Sequence, residues 1–331
     1  MAKRSTKQTD NAPWVLPWKG EVQFQRAPSP GAAREGDPRI GNLLGSKVSA
    51  RSRPIVAIIG FPTDQGVIRN GGRAGAAAGP DALRGALYRM TPDPERFEQF
   101  QNLLTSSVDL GDLVLSGDLE RDQRSLAGVI TALLQLGTIP IILGGGHETA
   151  YGHFLGYVGA QRGISILNWD AHPDVRPLLD GKGHSGSPFR QALTHESGLC
   201  KSYRVNGLQQ QSASKEHLDL IRKHGGSYLF ADRLDAGTIE NIYARIESPH
   251  LVSFDLDALD QCDAPGVSAP SVGGLKLPLW LIAAERAGRC RSVQSIDIVE
   301  MNPNYDRDGA TARVGALTVW RFMRGVLSRA G

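Results

Sequence analysis

The stretch ISILNWDAHPD at residues 164–174 opens as an apolar run and closes on three side chains that bind metals well, Asp170, His172 and Asp174. A strand that is apolar on both faces belongs inside a parallel sheet covered by helices on each side. Such sheets gather their ligands beyond the carboxyl ends of the strands. The same grammar recurs along the chain: IPIILGGGH at 139–147 ends on His147, LVSFDLDALD at 251–260 delivers Asp255 and Asp257, and SVQSIDIVEMNP at 292–303 delivers Asp297 and Glu300. Four strand ends should therefore place their polar residues on one rim, far apart though they lie in sequence.

Strands are expected at 55–59, 139–143, 164–168, 228–230, 251–254 and 293–296, and helices at 79–88, 118–136, 214–223, 238–246, 279–288 and 311–327. Short apolar runs alternating with helix-length segments are the signature of parallel strands joined by crossover helices. Residues 53–331 thus read as one doubly wound α/β domain. Residues 1–52, rich in Pro, Gly, Arg and Gln, follow neither periodicity and read as an N-terminal extension that wraps the domain or stays mobile, with Trp14 and Trp18 as docking side chains.

A chain of 331 residues that is 40% hydrophobic is large enough to enclose a buried polar site. Its net charge of +3, with basic residues scattered, leaves no footprint for nucleic acid or an anionic membrane, so a small-molecule partner is expected. No apolar stretch reaches the roughly 18 residues of a membrane span, and MAKRSTKQTDNAPW lacks the apolar core of a signal peptide. The three cysteines, Cys200, Cys262 and Cys290, are odd in number and lack zinc-site spacing, which points to free thiols in a reducing cytoplasm.

If the chain stays extended past a strand end, Asp170, His172 and Asp174 point the same way, as do Asp255 and Asp257. With His147 that collects four carboxylates and two imidazoles. Singly, each motif is ambiguous: a strand-end Asp also caps helices, and the glycines at 144–146 also suit a tight turn or a phosphate cradle, although the Lys-Ser/Thr ending of the latter is missing. Jointly they specify a site. Four packed carboxylates repel and take up protons unless cations neutralise them, and two divalent ions nearly balance their charge. Oxygen-dominated ligation with imidazole and no thiolate favours Mn2+. Two such ions, about 3.5–4 Å apart, acidify a shared water and hold a hydroxide nucleophile, so hydrolysis is the expected reaction.

At these residues the chain resembles the ureohydrolase family, which contains arginase, agmatinase and formimidoylglutamase. The motifs are Gly145-Gly146-His147, where the family often has Asp in place of Gly146, Asp170-Ala-His172-Pro-Asp174, Ser253-Phe-Asp255-Leu-Asp257 and Glu300-Met-Asn302-Pro303. The resemblance runs from about residue 53 to the end and implies a three-layer α/β/α arginase-like fold. It implies a first Mn2+ on His147, Asp170, Asp174 and Asp255 and a second on Asp170, His172, Asp255 and Asp257, with Asp170 and Asp255 bridging. It further implies that Asp174 orients the hydroxide, that Glu300 pairs with a cationic amidine-type group, that His184 in GHSGSPFRQ hands a proton to the leaving amine, and that the protein is a homo-oligomer. The missing Asp at 146 removes a supporting carboxylate and no ligand.

Within the family, the segments at 64–84, 174–191, 264–270 and 300–313 are similar to the formimidoylglutamase branch. N-formimino-L-glutamate carries an amidine-like cation at one end and two carboxylates at the other. Arg69, Arg73, Arg176 and Arg190 are candidate bidentate clamps for those carboxylates, with Asn70 as a further hydrogen-bonding group. The expected reaction is hydrolysis to L-glutamate and formamide, a step of histidine degradation. The same machinery serves guanidino compounds, so arginase, agmatinase or another guanidine hydrolase is the alternative. A non-catalytic, metal-stabilised assembly protein is the alternative from a different class, and the intact set of ligands argues against it. His153, His195, His217, His224 and His250 are expected at surface or structural positions.

Overall fold

Val56–Phe61 is buried at every position because its side chains alternate between two apolar layers, Val56 and Ile58 entering one and Ala57, Ile59 and Phe61 the other. This period of two is the pleat of a strand packed on both faces. The computed structural model of the chain describes residues 22–25, 27, 31, 35–46 and 53–330. Among them are nine strands: β1 Phe24–Gln25, β2 Val56–Phe61, β3 Val108–Leu113, β4 Ile139–Gly144, β5 Ile164–Trp169, β6 Cys200–Leu208, β7 Ser227–Phe230, β8 His250–Asp255 and β9 Val293–Val299. They form one sheet in the order β1-β3-β2-β4-β9-β8-β5-β6-β7, parallel throughout except where β1 pairs antiparallel with β3. The four strands that carry the polar clusters, β4, β9, β8 and β5, are consecutive neighbours at its centre.

Helices cover both faces. On one side α1 (Ile40–Leu43), α3 (Gly79–Tyr88), α4 (Phe97–Thr105), α9 (Ala236–Ala244), α10 (Leu277–Arg289) and α11 (Ala310–Val326) contribute Ile40, Leu83, Phe100, Ile239, Trp280 and Val319 to one core. On the other, α5 (Leu119–Leu136), α6 (Thr149–Gly159), α7 (Pro188–Leu193) and α8 (Lys215–Lys223) contribute Leu126, Phe154, Phe189 and Ile221 to the second. The short α2 (Gln65–Arg69) follows β2 on the rim. This is the expected three-layer, doubly wound α/β/α architecture. Among the described residues no helix is long and apolar enough to cross a membrane.

Expected elements recur with small shifts. The strand expected from 55 begins at Val56, leaving Ile55 exposed. Asp118 and Ser214 stand outside their helices as caps, accepting from the backbone N–H of Arg121 and His217. Three strands and several helices were not expected. β3, VDLGDL, carries two carboxylates, but the fully buried Arg84 of α3 pairs with both, with Nε 2.9 Å from Asp109 Oδ2 and Nη1 2.7 Å from Asp112 Oδ1. β6 is interrupted by Lys201 and Arg204. In α6, glycine obscures the helical pattern because α5 lies so close: a Cβ on Gly156 would meet Ile130 Cγ2 at 2.4 Å. Trp14 and Trp18 lie outside the described residues. Within the described parts of 1–52, β1 extends the sheet edge and Ile40 is fully buried in the core.

Candidate metal centre

His147 leaves the sheet on the turn after β4, and that turn is glycine for steric reasons: a Cβ on Gly145 would stand 1.8 Å from the Thr63 carbonyl oxygen. The His147 ring is buried, and Nδ1 faces Oδ2 of Asp174 and of Asp255 at 2.9 Å and Oδ2 of Asp170 at 3.3 Å. None of these contacts has hydrogen-bond geometry, and Nδ1 has no partner. Donor atoms therefore aim at a common point and not at one another, as a cation site requires. A second convergence shares Asp170: its Oδ1 lies 3.5 Å from His172 Nδ1, which is 3.0 Å from Asp257 Oδ2. Ligand atoms of His147, Asp170, Asp174 and Asp255 lie within 4.8 Å of one another, and so do those of Asp170, His172 and Asp257.

One sequence expectation needs correction. The chain does not stay extended beyond its strands: β5 ends at Trp169, and Asp174 adopts a left-handed φ of 45°. Asp257 sits in a 3-10 turn whose N–H donates to Asp255 Oδ1 at 2.8 Å. Convergence is thus achieved by bends; His172 N–H likewise donates to Asp170 Oδ1 at 2.6 Å. Asp170 offers an oxygen to each cluster, and Asp255 Oδ2 lies in the first. Glu300 also has a left-handed φ, 67°, and such strain in a non-glycine residue persists only where its surroundings over-determine it. Here the His147 N–H donates to Glu300 Oε1 at 2.7 Å and the Glu300 N–H to the Gly145 carbonyl at 2.8 Å, while Oε2 is buried without a partner.

The electrostatics contradict themselves without cations. Burial, then Asp257 and Asp170, push the Asp255 carboxyl well above its usual range, and burial raises Asp257 to about 6. The Asp257 carboxylate raises His172 to about 12. Although burial opposes it, Asp170, Asp174 and Asp255 hold the His147 imidazole protonated far above its ordinary value. Burial lifts Glu300 to about 7. Asp255, Asp257 and Glu300 are pushed to keep protons and the imidazoles to gain them, while against its burial the two imidazoles hold the Asp170 carboxyl well below its usual range; divalent ions remove these conflicts at once.

Supporting groups fix these side chains. His147 Nε2 lies 3.0 Å from Ser253 Oγ, which in turn donates to Asp297 Oδ1. Asp297 Oδ2 is 2.7 Å from Nδ1 of His153, whose Nε2 meets Ser295 Oγ at 2.5 Å. His153 is thus fully buried, structural as expected but in a chain of polar contacts that leads to His147. Asn168 Nδ2 donates to Asp170 Oδ2 at 2.9 Å. Asn168, Ser253, Ser295 and Asp297 all lie in stretches that the sequence singled out; nothing local marks His153.

The substrate-side expectations divide. A cavity of about 690 Å³ is lined by Asn70, Arg176, His184 and His217, among others. Asn70 Oδ1 accepts from Arg176 at 3.3 Å. The other three arginines hold loops: Arg69 bonds Glu120 at 2.6 Å and the Gly183 carbonyl, Arg73 bonds the Ser268 carbonyl at 2.9 Å and covers the Tyr305 ring, and Arg190 Nε bonds the Val175 carbonyl at 2.7 Å. The His184 ring is engaged on both sides, Nε2 against the Pro177 carbonyl at 2.9 Å and Nδ1 accepting from the Gly186 N–H at 3.1 Å. Cys200, Cys262 and Cys290 are free thiols.

Sheet order and paired Asp/His clusters place the molecule in a known class, and the Arginase family model matches residues 55–325; the chain belongs to the arginase family and is a hydrolase. More particularly, it is 38% identical over 275 residues to the formimidoylglutamase of Nocardia farcinica, covering 80% of this chain and 84% of that one. It is 34% identical to the formimidoylglutamase of Lysinibacillus sphaericus, covering 95% and 97%. A crystal structure of Trypanosoma cruzi formiminoglutamase with Mn2+ superposes with a TM-score of 0.80 at 30% identity, covering 88% of this chain and 99% of that chain.

Proposed function

We propose that the protein hydrolyses N-formimino-L-glutamate to L-glutamate and formamide, with two Mn2+ held by His147, Asp170, Asp174 and Asp255 and by Asp170, His172, Asp255 and Asp257. The observation that carries this reading is the unpartnered, buried Nδ1 of His147 facing three carboxylate oxygens, beside a second cluster that shares Asp170. The Mn2+ ions in the Trypanosoma relative support the choice of metal. When bound, the two ions supply a water acidified toward neutrality and charge to balance the carboxylates.

The chain's own residues do the rest. The buried, unpartnered Oε2 of Glu300 receives the amidinium N–H of the formimino group, a fork-to-carboxylate contact that orients the carbon for attack. Asp174, in its strained conformation, accepts a hydrogen bond from the attacking water and fixes its direction. Arg176, held by its bond to Asn70 Oδ1, meets a substrate carboxylate in the cavity that both residues line. His184 takes up a proton at Nδ1 as it parts from the Gly186 N–H, and the imidazolium then hands its Nε2 proton to the departing nitrogen and returns to the neutral ring. Water adds across the C–N bond, the nitrogen leaves as the amino group of glutamate, and the formimino carbon leaves as formamide. The proposal includes a homo-oligomer working in the cytoplasm.

Steady-state assays with Mn2+ on formiminoglutamate, arginine, agmatine and guanidinobutyrate test the reading. Formamide release from formiminoglutamate alone is expected; turnover of only a guanidino compound would overturn the substrate. If the metal-loaded protein and its Asp257→Ala variant are equally inert on all four, the non-catalytic alternative stands instead.

A further inference from the structure

Gly146 adopts no left-handed backbone, so its conformation does not demand glycine. Space does. A Cβ there would stand 2.2 Å from Glu148 Oε2 and 2.4 Å from Val67 Cγ2, and a Cβ on Gly66 would meet the same carboxyl group at 2.5 Å. The Glu148 carboxyl is thus clasped between two α-carbons that carry no side chain. It is almost wholly buried, Oε1 accepts from the Gly66 N–H at 2.8 Å across 82 residues of sequence, and Oε2 has no partner. Gln123 Nε2 donates to the Glu148 carbonyl at 2.8 Å and fixes the backbone from the far side.

We infer that Glu148 supplies, from two residues further along the chain, a carboxyl group in the place that a side chain at 146 would take, and that it is a positioning residue. It docks α2, which leads directly to Asn70, onto the loop that presents His147 to the metal. Gly66, Gly146 and Glu148 then form one steric unit: an acid at 146 has no room while Glu148 is present, and removing Glu148 frees the Gly66 N–H at the start of α2, whose other end stays bonded through Arg69. The inference rests on the proposed metal site, because His147 is the group whose position it explains.

The test is an exchange made in the full chain, comparing the natural protein with Gly146→Asp, Glu148→Ser and the double variant. Mn2+ affinity is read by calorimetric titration, KM on formiminoglutamate by formamide release, and melting temperature in EDTA. Each single substitution is expected to weaken Mn2+ binding about 10- to 100-fold, the range for losing a group that orients a ligand. The double variant is expected to return to within about threefold of the natural protein. A Gly146→Asp protein with natural Mn2+ affinity, or a double variant no better than the weaker single one, overturns the inference. So does a set in which melting temperatures fall and recover while Mn2+ affinity never changes, since that is structural filling alone. If those variants do not fold, Glu148→Gln, which keeps the size of the side chain and removes its charge, is read alone, and natural Mn2+ affinity in that variant overturns the inference. Should the natural protein bind no Mn2+, the metal-site reading itself fails; recovery of melting temperature in the double variant would then still establish the steric exchange, and no recovery would refute it.

Discussion

His147 can offer Nδ1 to a cation because its other nitrogen is already committed. With Nε2–H donating to Ser253, and Ser253 donating to Asp297, the tautomer is set and the ring cannot turn. Ser253→Ala strands both the Nε2–H and an Asp297 oxygen in a dry interior, so Mn2+ affinity should drop about tenfold or more. Calorimetric titration decides it, and an unchanged affinity would show that the chain beyond His147 has no part in metal binding. Arg176 differs from the other three arginines because it lines the cavity, whereas Arg69, Arg73 and Arg190 are bonded to loop carbonyls. Arg176→Ala should raise KM for formiminoglutamate by about 10- to 100-fold and leave kcat and Mn2+ content close to natural, as expected where a charge-assisted bidentate contact is lost. An equal fall in kcat at constant KM would place Arg176 in the chemistry and not in binding.

At the scale of elements, β3 is held by a charge cluster that no local rule announces. Arg84 of α3 is completely buried against Asp109 and Asp112, and Tyr88 donates to Asp109 Oδ2 at 2.9 Å. Removing one partner of a buried ion pair leaves the other's charge uncompensated, so Arg84→Ala should cost about 3–5 kcal/mol in urea unfolding. A loss below about 1 kcal/mol would mean that water or another cation replaces the guanidinium. The same cluster explains what the sequence hides. β2, β4, β5, β8 and β9 are apolar runs and can be read directly, and they are the strands that carry or flank the site. β3 looks polar because its counter-charge comes from a helix some twenty residues away. The residues of the metal clusters could be named from strand-end position, but their geometry could not: the bends at Asp174 and Glu300 depend on backbone partners such as Gly145, which only the folded chain brings near.

For the molecule as a whole, the metal-free fold carries a protonation debt around one rim. Burial lifts Glu148 to about 8 and Glu300 to about 7, Asp257 stands at about 6, and His172 is raised to about 12. In every case the folded protein holds its proton to higher pH than the unfolded chain does. For such groups the folded state binds more protons between the unfolded and folded values, so stability must fall as pH rises through that window. The carboxyl groups act from about pH 4.5 upward and His172 joins them above about 6.5, so their contributions add with one sign. In EDTA the melting temperature should therefore decline steadily from pH 5 to pH 8. Saturating Mn2+ should oppose that decline, because the ligands shed these protons on binding and affinity grows with pH. Thermal unfolding at four pH values, with EDTA and with Mn2+, reads both slopes. Two curves that converge toward pH 5 and separate toward pH 8 are expected. A melting temperature in EDTA that rises over the same interval would mean that other charges govern the fold, and that the rim does not require cations to be at ease at neutral pH.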